Sequence, residues 1–236
     1  MSAKRTFTFR VTMAALKGLI RLCCRVHDEQ LEQVPAKGPL IVVTNHVSFL
    51  EVPLLYTFLL PRGMTGFAKI ESWDKPFRRW LFNLAEIIPV RRGEADTNAF
   101  RLGLAALESG DIVALAPEGT RSEHGRLQRA RPGAVLLALR SGAPIMPVVH
   151  HGGEKLKDNL ARLRRTDFYL HVGEPFRLDP RGAKITRQVR QQMIDEIMYR
   201  MSRLLPPAYR GEYADLTAAT ETFLRPLGPT SELGED

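Results

Sequence analysis

His46 is the side chain of this sequence best suited to taking a proton from a substrate near neutral pH. It follows the β-branched run 39–45, which predicts a buried strand, and it precedes a predicted helix. In open α/β sheets, ligands bind where strands end. A carboxylate that accepts from the other ring nitrogen would fix the imidazole tautomer and stabilise the imidazolium. Glu51 is the candidate for that carboxylate.

Both residues also have purely structural interpretations. Ser48 and Glu51 match a capping box, in which the glutamate side chain reaches back to the backbone at the helix start. A histidine at a strand end can be hydrogen-bonded structure without any chemical role. The pair alone is therefore weak evidence for catalysis, and it gains weight only from polar residues elsewhere at the same edge.

A second polar segment, residues 117–122, follows the fourth predicted strand. Gly119 would let the backbone approach a ligand closely. Thr120 and Ser122 can donate hydrogen bonds, and Arg121 can hold a phosphate through two parallel N–H groups. The alternative is a polar turn with a solvated arginine.

Arg91 and Arg92 follow the third predicted strand and form a third polar element. Surface salt bridges are the alternative for an isolated arginine pair. Because each of the three elements follows a strand, all three would line one rim of the sheet. A base, a carboxylate and three arginines on one rim fit the deprotonation of a hydroxyl on a phosphate-bearing molecule.

Strand and helix patterns alternate along the chain. Strands are predicted at 39–45, 65–70, 86–90, 111–116, 144–149 and 168–172, and helices at 48–60, 76–84, 96–109, 132–142 and 185–205. Alternation of this kind predicts an α/β fold with a mostly parallel central sheet and helices on both faces.

The first segment, residues 6–26, has the periodicity of an amphipathic helix. Its recurring apolar residues are Val11, Ala15, Leu19, Leu22 and Val26, and its recurring basic residues are Lys17, Arg21 and Arg25. We predict a membrane-associating helix within 1–30, an α/β domain over 31–205 and a surface-hugging or disordered tail over 206–236. A helix packed on the core with a solvated basic face is the alternative for the first segment.

The composition favours an anionic partner. The chain of 236 residues is 44% hydrophobic and carries a formal net charge of +8. Acidic lipid, nucleic acid, phosphorylated small molecules and an acidic carrier protein all satisfy that charge. The arginines fall mostly at strand ends and on separate helices, and no nucleic-acid module is recognisable, so no nucleic-acid partner is predicted.

Several other classes are disfavoured by missing or misplaced residues. The sequence has no Gly-x-Ser-x-Gly, no Gly-x-Gly-x-x-Gly and no phosphate-binding loop ending in Gly-Lys-Ser/Thr. His150 and His151 are neighbours on a predicted strand and would point to opposite faces, which argues against zinc. Cys23 and Cys24 are adjacent and fit a reducing compartment. No apolar run reaches roughly 18 residues, so we expect a peripheral protein on the cytoplasmic face of the membrane.

Four blocks of the sequence, in order, resemble the glycerolipid acyltransferase family, typified by 1-acylglycerol-3-phosphate (lysophosphatidic acid) acyltransferases. The blocks are 45–51, which resembles the family's His-x-x-x-x-Asp box, 67–71 continuing to 88–92, 116–122 and 143–148. The ordered set is far more specific than any one block.

The resemblance implies an α/β acyltransferase fold with no metal and no cofactor beyond the acyl-CoA or acyl-carrier protein that donates the acyl group. It implies that His46 is the general base on the hydroxyl of a lysophospholipid acceptor. The residues implied to bind substrate are Lys69, Arg91, Arg92, Glu118, Gly119, Thr120 and Arg121, with Pro147 on the acyl-donor side. Glu51 departs from the aspartate of the box, which leaves open a non-catalytic or altered-specificity lipid-binding member of the fold.

Overall fold

The computed structural model describes residues 6–47, 50–91, 96–122 and 124–227, and its strands lie within them. They are β1 (Cys24–His27), β2 (Leu40–Val43), β3 (Met64–Lys69), β4 (Ile88–Val90), β5 (Ile112–Leu115), β6 (Ile145–His151), β7 (Thr166–Val172), β8 (Phe176–Leu178) and β9 (Leu224–Pro226). Within these ranges they form one sheet in the order β1-β7-β6-β2-β5-β3-β4, and β8 pairs with β6 and β9.

The centre of the sheet is parallel, as predicted. Strands β6, β2, β5, β3 and β4 run in one direction. Strand β7 is antiparallel to β6, and β1 is parallel to β7. Because the central strands are parallel, the segments that follow β2, β3, β4, β5 and β6 leave from the same edge of the sheet.

Helices cover both faces of the sheet. They are α1 (Phe7–Cys23), α2 (Glu51–Phe58), α3 (Pro76–Leu84), α4 (Thr97–Glu108), α5 (Gly133–Ser141), α6 (Leu156–Ala161) and α7 (Arg187–Leu204). Side chains alternate along β2: Ile41 and Val43 pack under α4, α5 and α7, whereas Leu40 and Val42 pack under α1 and α2. All four residues of β2 are buried, which explains its uninterrupted apolar run.

The N-terminal helix differs from its prediction in where it ends. Helix α1 ends at Cys23, and Cys24–His27 forms β1 against the start of β7. Phe9, Met13 and Ile20 are its buried residues, while Val11, Leu19 and Leu22 are exposed. The apolar residues predicted to form one face therefore point outward, because a second apolar face packs against α2.

The segment 206–227 lies along the surface of the domain and is anchored to it by a few buried side chains. Tyr213, Phe223 and Leu224 are buried in the core next to α7. Glu196 of α7 is buried and accepts from the backbone N–H groups of Thr222 and Phe223 at 3.0 and 2.9 Å. The turns at Pro and Gly residues suggested a tail, but three buried apolar side chains and β9 bind this segment to the domain.

Candidate active site

His46 lies just beyond β2, at the edge where the central strands end. Asn45 fixes its approach: the amide of Asn45 donates to the carbonyl of His150 and accepts from the backbone N–H of His150, both at 2.9 Å. On the other side, Thr44 N–H donates to the carbonyl of Leu115 at 3.1 Å. Residues 44–46 are thus held between the ends of β6 and β5.

Glu51, the first residue of α2, contacts the His46 ring. Its Oε1 is paired with His46 Nδ1, and the Glu51 side chain is 1% exposed whereas the His46 side chain is 23% exposed. A carboxylate at Nδ1 holds the proton on that nitrogen and leaves Nε2 to accept one. The capping-box partner Ser48 lies outside the described residues, but the Glu51 carboxylate is directed at His46.

Glu118 holds the backbone of His46 rather than facing the rim. It is buried, and its two oxygens accept from the N–H groups of His46 and Gln128, each at 2.9 Å. Burial raises the pKa of Glu118 to about 6, and the two amide donors partly oppose that rise. The resemblance implied that Glu118 holds the acceptor's phosphate; the structure instead directs both of its oxygens inward, to backbone N–H groups.

The turn 117–122 is joined directly to His46. Ser122 N–H donates to the carbonyl of His46 at 2.7 Å, so both backbone groups of His46 bind this turn. Gly119 has φ +70°, a conformation that L side chains rarely adopt. Thr120 and Arg121 are exposed. The turn is therefore bonded to the backbone of His46, and its side chains Thr120 and Arg121 are open to solvent at this edge.

The other predicted site residues lie at different distances from His46. Lys69 and Arg91 are exposed at the ends of β3 and β4, two and three strands from β2 in the sheet. At about 4.8 Å per strand, that places them roughly 10 and 14 Å to the side. Arg92 lies outside the described residues. Pro147 is buried within β6 opposite Val43, inside the sheet rather than at its rim.

His150 is a member of this cluster that sequence reasoning missed. Its buried Nε2 lies 2.9 Å from the carbonyl oxygen of Asn45 and 3.4 Å from Oε2 of Glu51. Burial lowers the pKa of His150. The signal was available: His150 stands at the end of a strand predicted to be parallel to β2, the same reasoning that selected His46.

Comparison with known proteins gives a consistent result. The family model described as Acyltransferase matches residues 25–151. A chloroplast 1-acyl-sn-glycerol-3-phosphate acyltransferase of Arabidopsis thaliana is 29% identical over 136 residues, 56% of this chain and 37% of that protein. A lyso-ornithine lipid O-acyltransferase of Pseudomonas aeruginosa is 32% identical over 139 residues, 55% of this chain and 50% of that protein. The matches thus span half or less of these relatives.

A solved structure shares the fold. The crystal structure of the 1-acyl-sn-glycerophosphate (LPA) acyltransferase PlsC from Thermotoga maritima superposes with a TM-score of 0.59 over 82% of this chain and 78% of that chain, at 23% sequence identity. The matched family region contains β1 to β6, His46, Glu51 and the turn 117–122. The comparisons therefore concern the part of the chain that builds the candidate site.

Proposed function

This chain belongs to the acyltransferase family, and from that premise we propose that it transfers a fatty acyl group from acyl-CoA or acyl-carrier protein to the free hydroxyl of a lysophosphatidic acid or related lysophospholipid. The observation that carries the proposal is the pairing of a partly exposed imidazole, His46, with the buried carboxylate of Glu51 beside an exposed Arg121. A base and a guanidinium at one edge suit an alcohol that bears an anionic group.

The reaction follows from the position of His46. Its Nε2 takes the proton of the acceptor hydroxyl as the oxygen attacks the thioester carbonyl carbon. The C–O bond forms, the C–S bond breaks, and the imidazolium returns its proton to the departing sulfur, which leaves as a thiol. Glu51 stabilises the imidazolium while it is charged, because its Oε1 is paired with Nδ1.

The turn beside His46 is suited to the acceptor's anionic headgroup. The guanidinium of Arg121 can make two parallel bonds to phosphate, and Thr120 adds a hydroxyl donor. A Cβ added at Gly119 would lie 3.6 Å from Cδ and 3.8 Å from Nε of Arg131, so a second arginine side chain lies beside this turn. Lys69 and Arg91, farther along the rim, would add longer-range attraction for the same charge.

Thiol release in the presence of a panel of lysolipid acceptors, with acyl-CoA and acyl-carrier protein as donors, tests the proposal. We expect release with at least one phosphate-bearing acceptor and a loss of at least about 10²-fold in His46→Ala. His171→Ala, in a strand histidine that contacts His151, is the matched control and should keep its activity. Lysolipid binding without thiol release by any pair would favour the non-catalytic alternative that Glu51 raises.

We also infer that the protein binds an anionic membrane surface from the cytoplasmic side, through α1. Phe7, Val11, Leu19 and Leu22 are exposed on this helix, and Lys17 and Arg21 flank them. Within the described residues, no helix is both long and apolar enough to cross a bilayer. Each basic residue near an anionic leaflet adds about 1 kcal/mol of attraction.

Flotation with anionic vesicles at low ionic strength checks the membrane proposal. The wild-type chain should float, and Leu19→Glu/Leu22→Glu should not, because both exposed apolar side chains become charged. Ala14→Glu, on an exposed position of the same helix, provides a control for added charge alone. Equal flotation of the wild type and the double variant would contradict this role of α1.

A further inference from the structure

The helix α3 buries none of its nine residues, although it is rich in aromatic side chains. Phe77 is 70% exposed and Trp80 is 45% exposed, with ring centroids 6.0 Å apart. The neighbouring aromatic residues behave differently: Trp73 and Phe82 pack edge-to-face at 4.9 Å and lie against a small buried cluster. Thus one pair of rings anchors the segment to the domain and a second pair is turned outward.

Exposed basic residues also lie on α3 and at its start. Lys75, Arg78 and Arg79 are exposed, and no described carboxylate forms an ion pair with them. Arg79 Nε donates to the carbonyl of Trp73 at 3.1 Å, which fixes this guanidinium against the backbone of the anchored residue Trp73. Exposed tryptophan and phenylalanine beside arginine is the composition of a helix that lies at the boundary between lipid headgroups and acyl chains.

Helix α3 lies at the same edge of the sheet as the candidate active site. Residues 70–84 leave the sheet after β3, whose end lies at the same edge as His46. We propose that α3 is a membrane-docking helix, separate from α1, that binds the headgroup layer of an anionic bilayer beside the site. Docking of α3 would bring the rim of the sheet to the lipid layer that contains the acceptor. Only this role in catalysis rests on the proposed function; the docking itself does not.

The two tryptophans of the chain allow a local test. Trp73→Phe leaves Trp80 as the only tryptophan, and Trp80→Phe leaves Trp73 as the matched control. With vesicles of phosphatidylglycerol and phosphatidylcholine, we expect the emission of Trp80 to shift to the blue and to be quenched by brominated acyl chains. Trp73 should show less of both effects. Vesicle-bound protein whose Trp80 emission is unchanged would overturn the proposal.

Removing the charge gives a second, quantitative test. Arg78→Ala/Arg79→Ala should weaken binding to anionic vesicles about 30-fold, since each basic residue near the surface contributes comparably. Turnover of a soluble short-chain acceptor with acyl-CoA should be unchanged. A specific loss of turnover with acyl-carrier protein, without vesicles present, would instead identify an acidic protein as the partner of α3. The tryptophan readout stands whether or not any acyl transfer is detected, so the two proposals fail separately.

A different observation concerns the interior of the site. His150 Nε2 faces the Asn45 carbonyl oxygen, which can only accept, so Nε2 carries the proton. His150 Nδ1 is buried without a hydrogen-bond partner among the described residues, which suits a bare nitrogen of a neutral ring. The same Nε2–H lies 3.4 Å from Oε2 of Glu51, while Oε1 of Glu51 contacts His46.

We infer that His150 is a positioning residue, which holds the second carboxylate oxygen of Glu51 so that the first stays aligned with His46 Nδ1. This contact joins His150 at the end of β6 to Glu51 at the start of α2. The His150 ring is itself fixed by stacking on Phe168, with ring centroids 5.1 Å apart.

A double-mutant cycle tests this role. His150→Phe should lower kcat about tenfold and leave the acceptor KM within about twofold, because only the alignment of the base changes. In a Glu51→Ala background, the same substitution should have no further effect on kcat. His150→Gln, which retains a donor, should recover part of the loss. Equal effects of His150→Phe in the two backgrounds, or no effect in the wild type, would overturn the inference.

Discussion

Glu51 and Glu118 are two buried glutamates that contact the same histidine from different sides. Glu51 begins a helix and pairs with the ring of His46, whereas Glu118 lies in a turn and accepts from its backbone N–H. One carboxylate therefore acts on the proton of the imidazole and the other on the position of the main chain. Two acidic residues near a base can thus have separate roles. The number of residues between each glutamate and His46 in the sequence does not show which role each has.

The difference extends to what each glutamate stabilises. Glu118 also accepts from Gln128 N–H, so it joins the turn 117–122 to the segment that follows it. Burial raises its pKa to about 6, whereas two backbone donors favour its charged form. Removing Glu118 would leave two inward N–H groups without an acceptor, and removing Glu51 would leave an imidazole without its carboxylate.

The largest expected effect is the loss of catalysis when Glu51 is removed. Glu51→Ala should lower kcat for acyl transfer about 10³-fold, because His46 loses the carboxylate that fixes its tautomer and stabilises its charged form. Thiol release measures the loss, and urea unfolding of the same preparation checks that the variant is folded. Glu51→Asp, which keeps the charge, is the control. A decrease in kcat of less than threefold in Glu51→Ala would contradict the role of Glu51 in supporting the base.

The converse change should act first on stability. Glu118→Ala leaves the N–H groups of His46 and Gln128 without an acceptor, and each buried unsatisfied group lowers the free energy of unfolding by about 1–3 kcal/mol. We expect the free energy of unfolding to fall by about 3 kcal/mol in urea titrations. Ser122→Ala, in the same turn, removes the acceptor of a single amide, Arg126 N–H, and should cost less. A Glu118→Ala chain as stable as the wild type would show that Glu118 does not anchor this backbone.

The pH dependence of stability sharpens the same distinction. The pKa of Glu118 is raised from 4.5 to about 6 in the folded chain, so the native state binds this proton more tightly than the unfolded state does. Stability from this group is therefore fully present below pH 4.5 and is lost as pH rises through about 6. The loss is at most about 2 kcal/mol.

Urea titrations of wild type and Glu118→Gln between pH 4 and pH 7 measure that term as a difference (the window brackets the two pKa values). The stability of the wild type relative to the variant should decline as pH rises through this range, because only the wild type has the titrating carboxylate. A difference that stays constant with pH would show that Glu118 is not desolvated as the structure describes.

The smallest effect concerns the exposed part of the Glu118 turn. Arg121→Gln should raise KM for a phosphate-bearing acceptor about tenfold and leave kcat within about twofold, because the guanidinium contacts the headgroup rather than the reacting atoms. Steady-state kinetics measures this, with Arg140→Gln in the last turn of α5 as the control. A fall in kcat at unchanged KM would mean that the turn acts on the base and not on the headgroup.

The sequence predicted much of this site because its signals are local. The apolar run before His46 and the glycine and arginine of the turn 117–122 are readable from a few adjacent residues. The parallel sheet with helices on both faces followed from alternating patterns, and the structure confirms it. Within 206–227 the sequence did not single out Tyr213, Phe223 and Leu224, since these few apolar side chains are separated by turn residues and become buried only against α7.

The sequence by itself determined which residues stand at strand ends, because side-chain periodicity and turn residues are local properties. Only the tertiary structure decided which of those ends are neighbours. The order β6-β2-β5 brings His150 and Glu118 to either side of His46, across 104 and 72 positions of the chain. The physical reason is that β2 pairs with both strands at once, so the partners of one residue come from two distant later segments of the sequence and from hydrogen bonds that no local pattern encodes.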